Sequence, residues 1–223
     1  MERLVFRSLP KTYTEEHVLS RLTLGENADP EDIACARELI RAAESVADPK
    51  AILRLSLLTD RDDAHIWVDG VQLDCTTLAE NFRGRYRVFP YVCTCGTELE
   101  DWSRTLTDPL HLFWADQIKL FYLGVVQNHL FQYVRREFLP TGHLSHINPG
   151  SLKQWPLTQQ RILFSLVGDV TGEIGVTLTE SCLMVPSKST SGILFESETA
   201  YENCSLCPLV NCPGRRAPYE KNA

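Results

Sequence analysis

The chain of 223 residues carries 22 basic and 29 acidic side chains, a formal charge of −7. Hydrophobic residues at 43% and charged residues at 23% exclude a disordered, collagenous or coiled-coil chain, and the acidic balance argues against nucleic-acid binding. The start has no signal-peptide h-region, and the longest apolar stretch, Leu120 to Val126, is far short of the ~20 residues that span a bilayer. The expectation is therefore a soluble, cytoplasmic protein, with one large domain over 1–196 and a small appendage over 197–223.

In chain order, Leu4-Val5-Phe6 forms a short apolar stretch before a turn at Pro10. A helix follows from Asp29, an N-cap residue with Pro30 at the first helical position and Glu31 and Asp32 at the positive end of the dipole. Ile33, Ala36, Leu39, Ile40, Ala43 and Ala47 give it one apolar face, and Asp48-Pro49 ends it. Ala51 to Leu58 reads as strand or buried helix, and Ile66, Val68 and Val71 around Asp69-Gly70 as a hairpin. Tyr86 to Cys95 reads as a strand, and a long helix runs from Asp108-Pro109 to Phe138. Thr141 to Ser151 reads as a loop, Leu157 to Val167 as a second helix, and Ile174 to Leu178, Leu183 to Val185 and Ile193 to Phe195 as strands. This mixed rather than alternating order predicts an α+β fold.

Eight cysteines are the unusual feature of the composition. Cys35, Cys75 and Cys182 sit singly and read as small buried hydrophobes. The tail carries Cys204-x2-Cys207-x4-Cys212, three thiols close enough to share one ion or cluster. Zinc and [4Fe–4S] centres both want four ligands; Cys95, or Cys93 as the alternative, is the candidate fourth. Soft sulfur donors exclude magnesium and calcium but leave zinc and iron–sulfur open. His143 and His146, three apart in the expected loop with Asn148, are candidate ligand-contacting groups. Around Pro186 and Gly192 the small residues Ser187, Ser189 and Ser191 would let a ligand approach the backbone closely.

The segment Leu178-Thr179-Glu180-Ser181-Cys182-Leu183-Met184-Val185-Pro186-Ser187-Lys188-Ser189-Thr190-Ser191-Gly192 resembles the L-T-E-S-x-A-M-x-P-x-x-S-V-S-G stretch of the activation domain of cobalamin-dependent methionine synthase. Asp116, on the helix that runs into Val134-Arg135-Arg136-Glu137-Phe138, and the second helix at Leu157 to Leu166 resemble further parts of that domain, so the likeness spans about 85–196. It implies a C-shaped α+β fold with a mainly antiparallel twisted sheet, flanking helices and, here, an added Cys-rich tail. It also implies binding of S-adenosylmethionine above a corrinoid, for reductive activation of cob(II)alamin. By matching positions, Asp116 would meet the ligand's ammonium, and Glu180 with Pro186, Ser187, Ser189, Ser191 and Gly192 would line the pocket.

Where the family carries R-x-x-x-G-Y-P, this sequence reads Gly142-His143-Leu144-Ser145-His146-Ile147-Asn148-Pro149-Gly150. That departure counts against S-adenosylmethionine and leaves corrinoid contact as the stronger implication. The expected function is an accessory protein that reactivates or loads a corrinoid protein or corrinoid methyltransferase. A thiolate-bound iron–sulfur centre would be its electron source, since such clusters reach about −700 mV. The alternatives are a non-enzymatic corrinoid- or zinc-binding protein and an S-adenosylmethionine-binding methyltransferase partner.

Overall fold

The computed structural model describes residues 3–25, 28–76, 79, 86–139, 142–151, 155–197, 211 and 217–219. Its elements are β1 (Arg3–Phe6), α1 (Glu15–Leu19), α2 (Pro30–Val46), β2 (Lys50–Arg54), β3 (Ser56–Arg61), β4 (His65–Val68), β5 (Val71–Asp74), β6 (Arg87–Thr94), α3 (Thr97–Arg104), α4 (Pro109–Phe138), β7 (His143–Ile147), α5 (Gln160–Val167), α6 (Val170–Ile174), β8 (Thr177–Leu178), β9 (Met184–Val185) and β10 (Ser189–Ser197). The fold is α+β, and none of its helices is long and apolar enough to cross a membrane, among the described residues.

The N-termini of the two long helices follow from their caps. The Asp29 carboxylate accepts from the Glu31 N–H, and the Asp108 carboxylate accepts from the N–H groups of Leu110 and His111. In each case Pro follows at the first helical position, where its missing N–H costs nothing.

Strand β6 is the spine of the sheet. Antiparallel to it run β2 and then β3 along one edge and β10 along the other; β1 extends the sheet beyond β2, and β7 lies outside β10. The apolar run from Ala51 to Leu58 is thus two strands, and the expected hairpin at Asp69-Gly70 joins β4 to β5. Both faces of β6 are covered. Phe89, Tyr91 and Cys93 pack against α2 and α4 on one side, whereas Val88 and Val92 face the clusters built around α5 and α6 on the other. Burial on two faces explains why this strand reads as near-continuous hydrophobicity rather than alternation.

Three expectations are corrected. The stretch 143–147, expected in a loop, is strand β7, held by pairing with β10 from Ile193↔Ile147 to Ser197↔His143; its turn-forming residues are overruled by a partner distant in sequence. The strand expected from Ile174 begins only at Thr177, because Asp169 caps the short helix α6 by accepting from the Gly172 N–H. The strand expected at Ile193 to Phe195 extends over Ser189–Ser197, so the hydroxyl-rich stretch 189–191 is part of the sheet. Helices α1 and α3 went unread in the sequence; α3 follows Gly96, which offers no side-chain cap.

Candidate functional site

Four pieces of chain meet beside the end of β6: the turn after β7, the start of α5, the 179–184 turn and the first residues of β10. Between them lies a cleft of about 430 Å³. Its walls are hydroxyls and amides (Asn148, Gln160, Ser187, Ser189, Thr190 and Ser191) interrupted by the apolar Leu157, Leu183 and Met184.

The polar walls are held by one another. The Asn148 side-chain amide donates to the Tyr91 hydroxyl at 3.0 Å and to the Ser191 carbonyl at 2.6 Å, tying the end of β7 to β6 and β10. Gln160 donates to the Cys182 carbonyl at 3.0 Å and accepts from the Ser191 hydroxyl at 3.2 Å. Ser189 Oγ bonds the Pro186 carbonyl at 2.7 Å and Thr94 Oγ1 at 2.9 Å, across the buried Pro186, which follows a cis peptide bond. Arg161, on α5, donates to the carbonyls of Thr179 and Glu180 and so pins the 179–184 turn. A cleft whose hydrogen-bonding groups are fixed before any ligand arrives loses little entropy on binding.

Gly192 has a different role from the one expected. A Cβ there would sit 2.4 Å from the Ile147 carbonyl oxygen and 2.7 Å from Asn148 Nδ2. The close approach that glycine permits is that of the protein's own strand β7 and its Asn148 tether, not that of a ligand.

Neither Lys188 nor Asp116 lines the cleft, but among the described residues they form the charged pair nearest its lining residues in sequence. Lys188, between the lining residues Ser187 and Ser189, pairs with Asp116 of α4 at 2.8 Å. Asp116 stays half exposed in that pair. Sequence reasoning singled out Asp116 but gave Lys188 no role, and it missed Gln160 and Tyr91, whose parts depend on tertiary pairing.

A family model of the vitamin B12 dependent methionine synthase activation domain matches residues 149–205. The fold is similar to that in the crystal structure of the MetH reactivation domain bound to AdoHcy, with a TM-score of 0.63 at 15% identity, over 91% of this chain and 80% of that one. No curated protein sequence matches the chain. The chain is a relative of that activation domain.

The other expected residues of this activation-domain relative are not gathered at the cleft. On β7, His143 and His146 are three apart and so point to opposite faces of the sheet. His143 is exposed, and His146 is buried with its ring 5.2 Å from that of Phe131. They cannot act as a pair on one ligand. Glu180 is exposed on the 179–184 turn and does not line the cleft.

Cys204, Cys207 and Cys212 lie outside the described residues. Cys93 and Cys95 are both fully buried in the main core. Burial pushes the Cys93 thiol far up, and the same cause pushes Cys95 up to about 12, with Lys119 acting weakly against it. The Cys95 thiol donates to the Gly96 carbonyl at 3.6 Å. A metal needs the thiolate, so recruiting Cys95 as a fourth ligand requires the core to open. Among the described residues no three His, Cys, Asp or Glu side chains gather as a metal-ligand group.

Proposed function

We propose that this chain assists the reactivation of a corrinoid-dependent methyltransferase, holding a methyl donor of S-adenosylmethionine type in the 148–191 cleft where it faces the partner's corrinoid. One coincidence carries the reading: every residue lining the cleft except Asn148 lies within the segment that matches the activation-domain family. The volume of about 430 Å³ is in the range of clefts that enclose small ligands. A corrin ring with its side chains exceeds it and would lie across the mouth rather than enter.

The charges beside the cleft suit a zwitterion. On this reading Asp116 would take an ammonium and Lys188 a carboxylate, so the amino-acid end of the donor would replace the internal pair with two charge-assisted bonds. Lys188 thereby offers the cation that the missing Arg of the family pattern would have supplied. Leu112, Phe113 and Leu120 lie within one turn of Asp116 along α4 and are 41%, 48% and 55% exposed, and Leu183 at the cleft is 56% exposed. Exposed apolar groups beside a ligand cleft suit a partner that covers it.

When bound, the partner's corrinoid would supply the cobalt that accepts the methyl group; this chain's residues would orient the donor and keep water from it. Cys204, Cys207 and Cys212 enter the reading as a soft-ligand group for an iron–sulfur centre or zinc, and iron and zinc analysis of the anaerobically purified chain decides between those two.

Titrating cob(II)alamin with the full chain under anaerobic conditions, followed by electron paramagnetic resonance, tests the reading. A saturable change in the cobalt signal is expected. A signal that stays that of free cob(II)alamin at all protein concentrations overturns it.

A further inference from the structure

A second pocket, sharing no residue with the cleft, lies where the N-terminal arm crosses α4. Its volume is about 310 Å³. One wall comes from Leu9, Tyr13 and the α1 region, the other from Phe121, Val125 and His129 of α4, which are spaced to share one helix face.

The floor is apolar and the rim consists of donors. Arg21, His17, His129, Asn128 and Gln132 line it, and no carboxylate does, in a chain whose formal charge is −7. The nearby acids are committed elsewhere: Glu15 and Glu16 bind Arg37 and Arg41, and Glu44 binds Lys11. Arg21 itself has no ion pair or hydrogen bond through its guanidinium among the described residues, a condition it shares there only with Arg135. His17 is oriented by the cap of α1. Its Nδ1 accepts the Thr14 N–H at 3.3 Å, so in the neutral ring the proton sits on Nε2, which becomes a donor.

We infer that this pocket binds a small organic oxyanion, a carboxylate or a phosphate ester, with Arg21 and His17 holding the charged head and an apolar body lying on Phe121, Val125 and Leu9. A guanidinium without a protein partner can give both its forked donors to such a head, and the aromatic and aliphatic floor excludes a bare, strongly hydrated ion as the best occupant.

Calorimetric titration of the full chain with benzoate, phenyl phosphate and neutral benzamide tests this. Saturable binding of benzoate, phenyl phosphate or both is expected, with benzamide failing to saturate; which anion binds tells carboxylate from phosphate. Arg21→Gln should weaken the bound anion at least tenfold while the melting temperature of the free protein is unchanged, and Arg135→Gln should leave binding as it was. Benzamide binding as well as the anions, equal weakening by the two arginine variants, or no saturable heat with either anion would overturn the inference.

Discussion

Replacing Gly192 with alanine is the sharpest perturbation of the cleft's framework. The new methyl group would stand 2.4 Å from the Ile147 carbonyl oxygen, 2.7 Å from Asn148 Nδ2 and 3.1 Å from Tyr91 Cε1. The first of these contacts is with backbone, in a strand paired directly to β10 at this point, so no side-chain rotation relieves it. Either β7 shifts away from β10 or the sheet spreads. Overpacking of this kind costs about 3 kcal/mol, which for a chain of this size lowers the melting temperature by about 6–12 °C. The same shift removes Asn148 from Tyr91 and Ser191 and loosens one wall of the cleft. Gly124→Ala is the matched control. Gly124 sits mid-helix in α4 with nothing within 4 Å of the added carbon, so alanine there should stabilise by about 0.5–1 kcal/mol. Thermal unfolding followed by circular dichroism reads both. A Gly192→Ala protein that melts with wild type would refute the packing argument.

Three further outcomes follow from the same structure. Lys119 is buried between Glu100 Oε2 at 3.0 Å and Ser103 Oγ at 3.1 Å; Lys119→Met should cost about 2 kcal/mol in urea unfolding because it leaves a largely buried carboxylate with only the longer, exposed contact to Arg104 at 3.6 Å, and adding Glu100→Gln should recover most of the loss. Cys95, whose thiol is raised by burial from its ordinary 9.0 to about 12, is neutral in the fold, so its contribution is complete below pH 9 and fades as pH rises toward 12; native protein should leave Cys93 and Cys95 unlabelled by a thiol reagent at pH 8, with labelling of both appearing only on unfolding. The Glu15 carboxylate is held down to about 2, first by its bond to Arg41 and then by Arg37, so its contribution is present above its ordinary 4.5 and lost as pH falls through 2; Glu15→Gln should flatten the acid limb of the stability curve.

What the sequence disclosed is what local chemistry decides. Asp29-Pro30 and Asp108-Pro109 announce their helices because an N-cap and a proline at the first position act within one turn, and Asp69-Gly70 announces its hairpin because the turn's backbone conformation is local. Strand β7 was illegible for the opposite reason. His143, Ser145 and His146 have no strong strand preference, and the segment becomes a strand only through β10, some fifty residues on. The site divides the same way. Ser187, Ser189 and Ser191 of the P-x-x-S-x-S-G pattern line the cleft, yet Gln160 joins them, and Tyr91 supports the Asn148 wall, only through packing, while Gly192 accommodates a neighbouring strand. The two histidines were misjudged once the loop became a strand, since a spacing of three then separates them by the thickness of the sheet.

Titrating the protein with S-adenosylmethionine in a calorimeter, beside Asp116→Asn and Lys188→Gln, bears most directly on whether the 148–191 cleft is a ligand site. The account predicts saturable heat with wild type and at least tenfold weaker binding in each variant, both of which retain the wild-type melting temperature because the pair is partly solvent-exposed. Flat heats with wild type, or binding that neither substitution disturbs, would contradict it.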